Sequence, residues 1–407
     1  MNKTSMRPIR ETIPLEEARA LMAQAARPVE RIETLPLGQA HGRVLAEDII
    51  ATRDVPPFSR AAMDGFAVVA QDTFGAGQFD PRVLRSVEKV YTGQVPTQAV
   101  SPGTCIEIAT GAPMPEGADA VVMVEETEKD GTSDIRVFSP VYPGQNVGRQ
   151  GADIRAGQAL LAPGLHLTSA RVGAIAALGI DRVAVFEKPR VALLSTGNEI
   201  VEPGQPLGPG QIYDINRFTL SAVIEENCGI PLPYPTAPDT LEDLSSALDS
   251  CLVNDLVIFS GGSSVGERDL ILDAISLRGD VLFHGIAVKP GKPTLFGIIE
   301  GTPVLGMPGY PTSCLSNGYM LLVPLLRRLA RLPGTVQRSV RVLLGQRVVS
   351  TTGRHQFYTV KIVDGVAMPA FKASGDITSM SQADGYIEIA AQTDIVEKGE
   401  TVEVILF

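Results

Sequence analysis

Between Pro189 and about residue 331, short apolar runs alternate with longer stretches whose apolar residues recur every three or four positions. Val191-ALLS, Leu256-VIFS and Val304-LGM read as buried strands. Helices are predicted from Asn216 to Asn227, ended by Gly229; along the face Leu241, Leu244, Leu248 and Leu252; from about Asp269; and from Pro308-GYP to about Leu329. Strands alternating with helices argue for a doubly wound α/β layer with a mostly parallel sheet. Ligands of such layers sit beyond the carboxyl ends of the strands.

The flanks carry different patterns. Pro14 opens a predicted helix with Leu15, Ala18, Leu21, Met22 and Ala25 on one face, and Pro28 lies near its end. Short extended segments follow to Pro57. Residues 58 to 149 are rich in Gly, Pro and short alternating runs such as Ala120-VVMVE and Asp134-IRVF, with a hairpin signal at Asp130-Gly131. A helix is expected around Ser169-ARVGAIAAL, stopping near Gly179. After Pro333-Gly334 the chain reads as short β segments ending in Thr401-VEVILF, which predicts a small barrel or sandwich.

Composition narrows the function classes. Hydrophobic residues make up 44% and charged residues 20% of the chain, which is ordinary for a packed protein. The net charge of −11 and the lack of a basic cluster with interleaved aromatics exclude a nucleic-acid footprint. Any anion must therefore be bound locally, against the overall field. No apolar run approaches the ~18 residues of a membrane span. Cys105, Cys228, Cys251 and Cys314 form no C-x-x-C pair, and no signal peptide opens the chain, so reduced thiols and a cytoplasmic location are expected. His41, His166, His284 and His355 form no zinc-type pair.

Three segments look built to hold an oxyanion: Ser260-GGSSVGERD, Lys289-PGKP and Pro308-GYPTS. Backbone N–H groups of Gly-rich turns, hydroxyls at a helix start and two closely spaced lysines match phosphate or a tetrahedral oxyanion. The prolines flanking Lys292 stiffen the presentation of both ammonium groups. Alone, a K-P-G-K string is a solvated turn; three such segments within about 55 residues suggest one site. Thr312 and Ser313 offer hydroxyls and N–H groups, whereas Cys314 is expected to be a packed thiol. Gly262-Ser-Ser264-Val-Gly266 also matches a hydrolase nucleophile elbow, with His284 or His355 as a base. Carboxylates at loop positions, namely Asp64, Asp153, Glu199, Asp214 and Asp269, are candidates to hold Mg²⁺ with a substrate phosphate. Each has a plain alternative as a cap or turn residue; Asp239-T-L-Glu242 has capping-box spacing.

Together these strings resemble the MoeA family, the molybdopterin molybdenumtransferases, which also form the C-terminal part of gephyrin. The resemblance runs from about residue 10 to the C-terminus. It rests on Ala62-MDGFAV, Thr110-GAPMPEGADAVV, Gly144-QNVGRQGADI, Ser195-TGNE, Gly210-QIYDINR, Ser260-GGSSVGERD and Lys289-PGKP.

The resemblance implies an α/β multidomain fold of four parts. These are a discontinuous elongated connecting domain (8–57 with 150–186), a β-rich domain (58–149), a MogA-like doubly wound α/β domain (187–331) and a small C-terminal β-barrel (332–407). It implies insertion of molybdenum from molybdate into adenylylated molybdopterin, assisted by Mg²⁺, with release of AMP. It further implies a homodimer whose site lies between the α/β domain of one subunit and the β-rich domain of the other, and a MogA-type adenylyltransferase as supplier. Neither nucleic acid nor membrane is expected as a partner. By position, the family's acidic and polar residues fall on Asp64, Thr110, Asp153, Glu199, Asp239 and Asp269, with Glu199 and Asp269 as the expected metal ligands. The pyrophosphate is expected on Gly261, Gly262, Ser263 and Ser264. Molybdate and phosphate contacts fall on Lys289, Lys292, Ser313, Arg354 and Ser379. Two departures stand out: Tyr310 where many members have Asn, and Gly285 where many have a basic residue. Three other readings stay open: a tungstate-inserting homologue, a gephyrin-like scaffold and a serine hydrolase.

Overall fold

The computed structural model describes residues 9, 11–238, 240–261, 270–334 and 337–407. The chain divides into two compact units. One comprises Leu35–His41 with Glu47–Val183; the other comprises Met1–Thr34, Gly42–Ala46 and Ala184–Phe407.

The first unit is built on a six-stranded sheet. Its order is Ala120–Met123, Gly65–Val68, Thr104–Ile108, Arg82–Val90, Asp134–Val137 and Thr127–Asp130. The pairings are antiparallel except that between Thr104–Ile108 and Arg82–Val90. The last two strands form the hairpin signalled by Asp130-Gly131, with Gly131 at φ +77°. Phe66, Val68, Cys105, Val122 and Ile135 pack on one side of the sheet, and Ala67, Ile106 and Val121 on the other. That is the period-two alternation of a strand covered on both faces. The predicted helix is present as Ser169–Ala177, with the Thr168 hydroxyl capping its first turn.

The second unit carries the α/β layer. Its sheet runs Ile230–Pro233, Arg190–Ser195, Leu256–Ser260, Thr302–Met307, Leu295–Ile299 and Gly279–His284. The first four strands are mutually parallel, and the last two join through antiparallel pairings. Val191, Leu193, Leu256, Ile258, Leu305 and Met307 face one core, and Ala192, Leu194, Val257, Phe259 and Val304 face another. Both faces are covered, so these strands read as continuous apolar runs. Leu15, Ala18 and Met22 of the Leu15–Ala25 helix join the first core, together with Leu220, Val223 and Ile224 of helix Asn216–Glu226. Helices Leu241–Cys251 and Leu270–Arg278 cover the opposite face.

Two expectations are refined. The helix after Pro308-GYP is continuous in path, but it runs as Pro311–Asn317, a π-helical turn Gly318–Leu322, and Val323–Leu329. Pro324 has no N–H to give to the preceding turn, which accounts for the irregularity there. The capping box begins one residue later than its spacing suggested. Thr240 caps the helix: its Oγ1 accepts from Asp243 N at 3.1 Å and donates to Asp243 Oδ2 at 2.6 Å. Asp239 lies outside the described residues.

The C-terminal region is a closed five-stranded barrel. His355–Val363, Val366–Pro369, Ser339–Leu344, Thr401–Leu406 and Gly385–Ile389 follow one another, and the last pairs back with the first. Val360, Ala367, Ile387, Ile389 and Val404 fill it. The two-residue strand Val288–Lys289 adds in parallel to His355-Gln356. The barrel is thereby stitched to the loop that bears the two lysines. Among the described residues no helix is long and apolar enough to cross a membrane.

Candidate anion-binding active site

Parallel pairing brings the ends of three strands level. Ser195 is in register with Ser260, and Ser260 with Met307. The chain therefore leaves the sheet at one edge in three adjacent places: Thr196-Gly197, Gly261 and Pro308-Gly309. A Cβ on Gly261 would lie 2.5 Å from the Thr196 carbonyl oxygen, so only glycine lets these loops approach so closely. A cavity of about 1120 Å³ opens above this edge.

Lys289, Lys292 and Arg354 line that cavity with Ser313, Gly261 and Glu199. These six were singled out from the sequence, and they come from five separate stretches of chain. Each lysine is held by one neutral oxygen. Lys289 Nζ donates to Thr351 Oγ1 at 2.7 Å, and Lys292 Nζ donates to the Ile9 carbonyl at 2.8 Å. A neutral acceptor orients an ammonium group without cancelling its charge. The intervening loop is pinned from below. The buried Asn317 amide donates to Gly291 O at 2.9 Å and to Thr294 Oγ1 at 2.6 Å.

The opposite wall is polar and rigid. Ser195 Oγ donates to Asp214 Oδ2 at 2.6 Å, and Asp214 Oδ1 accepts from Arg217 N at 3.0 Å. Arg217 Nε lies 3.5 Å from Asp214, and the same guanidinium is paired with Glu202. Asp214 is therefore committed to holding the start of its helix. Asn216 Nδ2 donates to Gly309 O at 2.9 Å and ties that helix to the Pro308-Gly309 loop. Glu199 is exposed, lines the cavity, and its carboxylate has no partner among the described residues.

Some sequence expectations need correction. Thr312 does not face an anion, because its N–H donates to Ser374 O at 3.0 Å and its hydroxyl to Asp376 O at 2.9 Å. Ser379 is fully buried, does not line the cavity, and uses its Oγ to accept from Lys372 N at 3.0 Å. Cys314 is a packed thiol as expected, and burial pushes its pKa up. Gly262, Ser263, Ser264 and Asp269 lie outside the described residues. Tyr310 is exposed at the cavity rim.

The remaining predicted residues belong to the first unit. Asp64 Oδ1 accepts from Thr110 N at 2.6 Å; this bond and one from the Thr110 hydroxyl hold the Asp64 carboxyl below the usual carboxylate range. A small cavity of about 210 Å³ lies beside Asp64, lined also by Lys89, Tyr91 and Glu107. The Lys89 ammonium sits 5.0 Å from the Tyr91 ring centroid and 2.9 Å from Glu107. Asp153 is exposed and lines neither cavity.

Sequence reasoning missed Thr351, Asn317, Asn216 and Ile9. Asn216 stood inside the Gly210-QIYDINR string, and Thr351 three positions before Arg354. Asn317 and Ile9 carried no local signal.

Comparison with known proteins agrees with this architecture. Residues 13–179 match the MoeA N-terminal region (domain I and II), 192–328 a probable molybdopterin binding domain, and 341–407 the MoeA C-terminal region (domain IV). The matches thus define a multidomain protein whose α/β layer corresponds to a probable molybdopterin binding domain. The chain belongs to the MoeA family. It is 35% identical over 396 residues to molybdopterin molybdenumtransferase 2 of Mycobacterium tuberculosis, covering 95% of this chain and 96% of that protein. It is 33% identical over 402 residues to the molybdopterin molybdenumtransferase of Haemophilus influenzae, covering 96% and 98%. A molybdopterin biosynthesis MoeA protein from Pyrococcus horikoshii superposes with a TM-score of 0.83 at 41% identity, covering 97% of this chain and 99% of that one.

Proposed function

We propose that this chain is a molybdopterin molybdenumtransferase: it takes molybdenum from molybdate into the dithiolene of adenylylated molybdopterin and releases AMP. Its role lies in molybdenum cofactor biosynthesis, and its class is that of the transferases. The observation that carries the reading is the convergence of Lys289, Lys292, Arg354 and Ser313 on one large cavity at the carboxyl edge of the sheet. Three cationic groups, two of them held by neutral oxygens, and a hydroxyl suit a small tetrahedral dianion. The remaining volume suits a pterin nucleotide.

In this mechanism the protein supplies position and charge, and no side-chain nucleophile is required. Lys289, Lys292 and Arg354 hold the oxyanion and offset the negative charge that opposes its approach to the dithiolene. Gly261 lets the nucleotide phosphates approach the backbone closely. Ser195 and Asp214 keep the opposite wall in place. The donor set fits a magnesium ion held by one or two carboxylates together with substrate phosphates, since Glu199 faces the cavity with its carboxylate unused by described residues. Bound there, Mg²⁺ would offset charge on the phosphoanhydride as it breaks.

The reading extends to a homodimer in which Asp64, Thr110 and Asp153 of one subunit complete the cavity of the other. The supplier of the pterin nucleotide would be a MogA-type adenylyltransferase, and the compartment the cytoplasm. The four-part division stated above, with its boundaries at residues 57, 149, 186 and 331, goes with it. The scaffold and serine-hydrolase readings are not favoured, because full-length relatives are named as transferases.

The test is metal analysis and AMP release after incubation with adenylylated molybdopterin, Mg²⁺ and equal molybdate and tungstate. Molybdenum in the pterin with stoichiometric AMP is expected. AMP release without metal incorporation would reject the reading, and a preference for tungsten would change the substrate.

A further inference from the structure

We propose that the backbone at Ile9 is a working part of the oxyanion site: its carbonyl positions the Lys292 ammonium, and the described strap residues, Ile9 with Glu11–Ile13, serve to deliver it. The inference rests on the reading of this cavity as a molybdate site. Lys292 Nζ donates to Ile9 O at 2.8 Å, and Ile9 itself lines the cavity. The strap is anchored at its other end. Ile13 pairs in parallel with Ile286, accepting from Ala287 N at 2.8 Å and donating to Gly285 O at 3.2 Å. Leu15 and Ala18 then enter the core.

Gly285 makes the close approach of the strap feasible. Its φ is +103°, and a Cβ there would lie 2.4 Å from Ile9 Cγ2.

An ammonium group has three donors, so one bond to Ile9 leaves two for the anion. A free lysine tip loses rotamer entropy when it binds; a tip already held loses less. Because the acceptor is a neutral carbonyl, the full positive charge of Lys292 is retained. Thr351 does the same for Lys289 with a side-chain hydroxyl. Ile9 is thus a positioning residue, and its effect falls on anion affinity, not on turnover once the anion is bound.

The test compares the full chain with a chain beginning at Glu11, with Gly285→Ala, with Gly285→Ala plus Ile9→Ala, and with Lys292→Ala. Molybdate affinity is read by calorimetry, KM and kcat by metal insertion, and folding by thermal melts. The truncated chain should show molybdate Kd and KM raised about three- to tenfold, the scale of the net worth of one hydrogen bond, with kcat at saturating molybdate unchanged. Gly285→Ala should weaken binding at least similarly, and shortening Ile9 should recover the part caused by the 2.4 Å contact with Ile9 Cγ2 while the strain of the +103° φ remains. If truncation destabilises the fold, that recovery decides the question. Unchanged or tighter molybdate binding in a well-folded truncated chain, with Lys292→Ala still impaired, overturns the role of Ile9 and leaves the site intact. A full chain that binds no molybdate overturns both.

Discussion

Lys289 Nζ and Thr351 Oγ1 lie 2.7 Å apart, although 62 residues separate them in sequence. The bond joins the lysine loop of the α/β layer to the segment between barrel strands Ser339–Leu344 and His355–Val363, beside the pairing of Val288–Lys289 with His355-Gln356. Thr351→Val keeps the shape and removes the acceptor. Its molybdate Kd should rise about three- to tenfold, and Thr351→Ser should stay near the wild-type value. Calorimetric titration of both variants checks this.

Asn317 supports the same loop from inside the core. Its amide satisfies Gly291 O and Thr294 Oγ1, and the side chain is fully buried. Asn317→Ala removes one of two donors to Gly291 O, the Thr294 hydroxyl being the other, and should cost about 1 kcal/mol of stability. Asn317→Asp should cost more, because it turns a carboxylate toward a carbonyl oxygen. Urea denaturation midpoints give the ranking, and molybdate affinity should fall in both variants as the loop loosens.

Cys314 sits directly after Ser313 but takes no part in the chemistry. Burial pushes its thiol pKa up, and the thiols of Cys105 and Cys251 are pushed up to about 12. At neutral pH these three are protonated and shielded. Alkylation of the native protein with iodoacetamide, read by mass spectrometry, should leave all three unmodified, whereas denaturant should expose them. Fast native labelling of Cys314 would contradict the packing described.

Much of this site was legible because its signals are local. Val191-ALLS, Leu256-VIFS and Val304-LGM end in breaks that parallel pairing must bring to one edge, and Gly261, Gly309 and both lysines line one cavity there. What holds the lysines was not legible. Lys292 and Ile9 are 283 residues apart, and nothing in a KPGK string names its acceptor. The role of Thr312 was misread for the same reason, since its partners Ser374 and Asp376 arrive from the segment leading into the last part of the barrel. The capping residue is displaced by one: Thr240 accepts from Asp243 N and donates its hydroxyl to the Asp243 carboxylate.

The central claim is that the lysine loop and its neighbours form one oxyanion cradle. Equilibrium titration of molybdate into the wild-type chain and into Lys289→Ala with Lys292→Ala measures this most directly. Saturable binding that falls by about 100-fold or more in a double variant with an unchanged melting curve is the predicted result, on the scale of two lost charge-assisted contacts. Equal affinity in the two proteins would contradict the account.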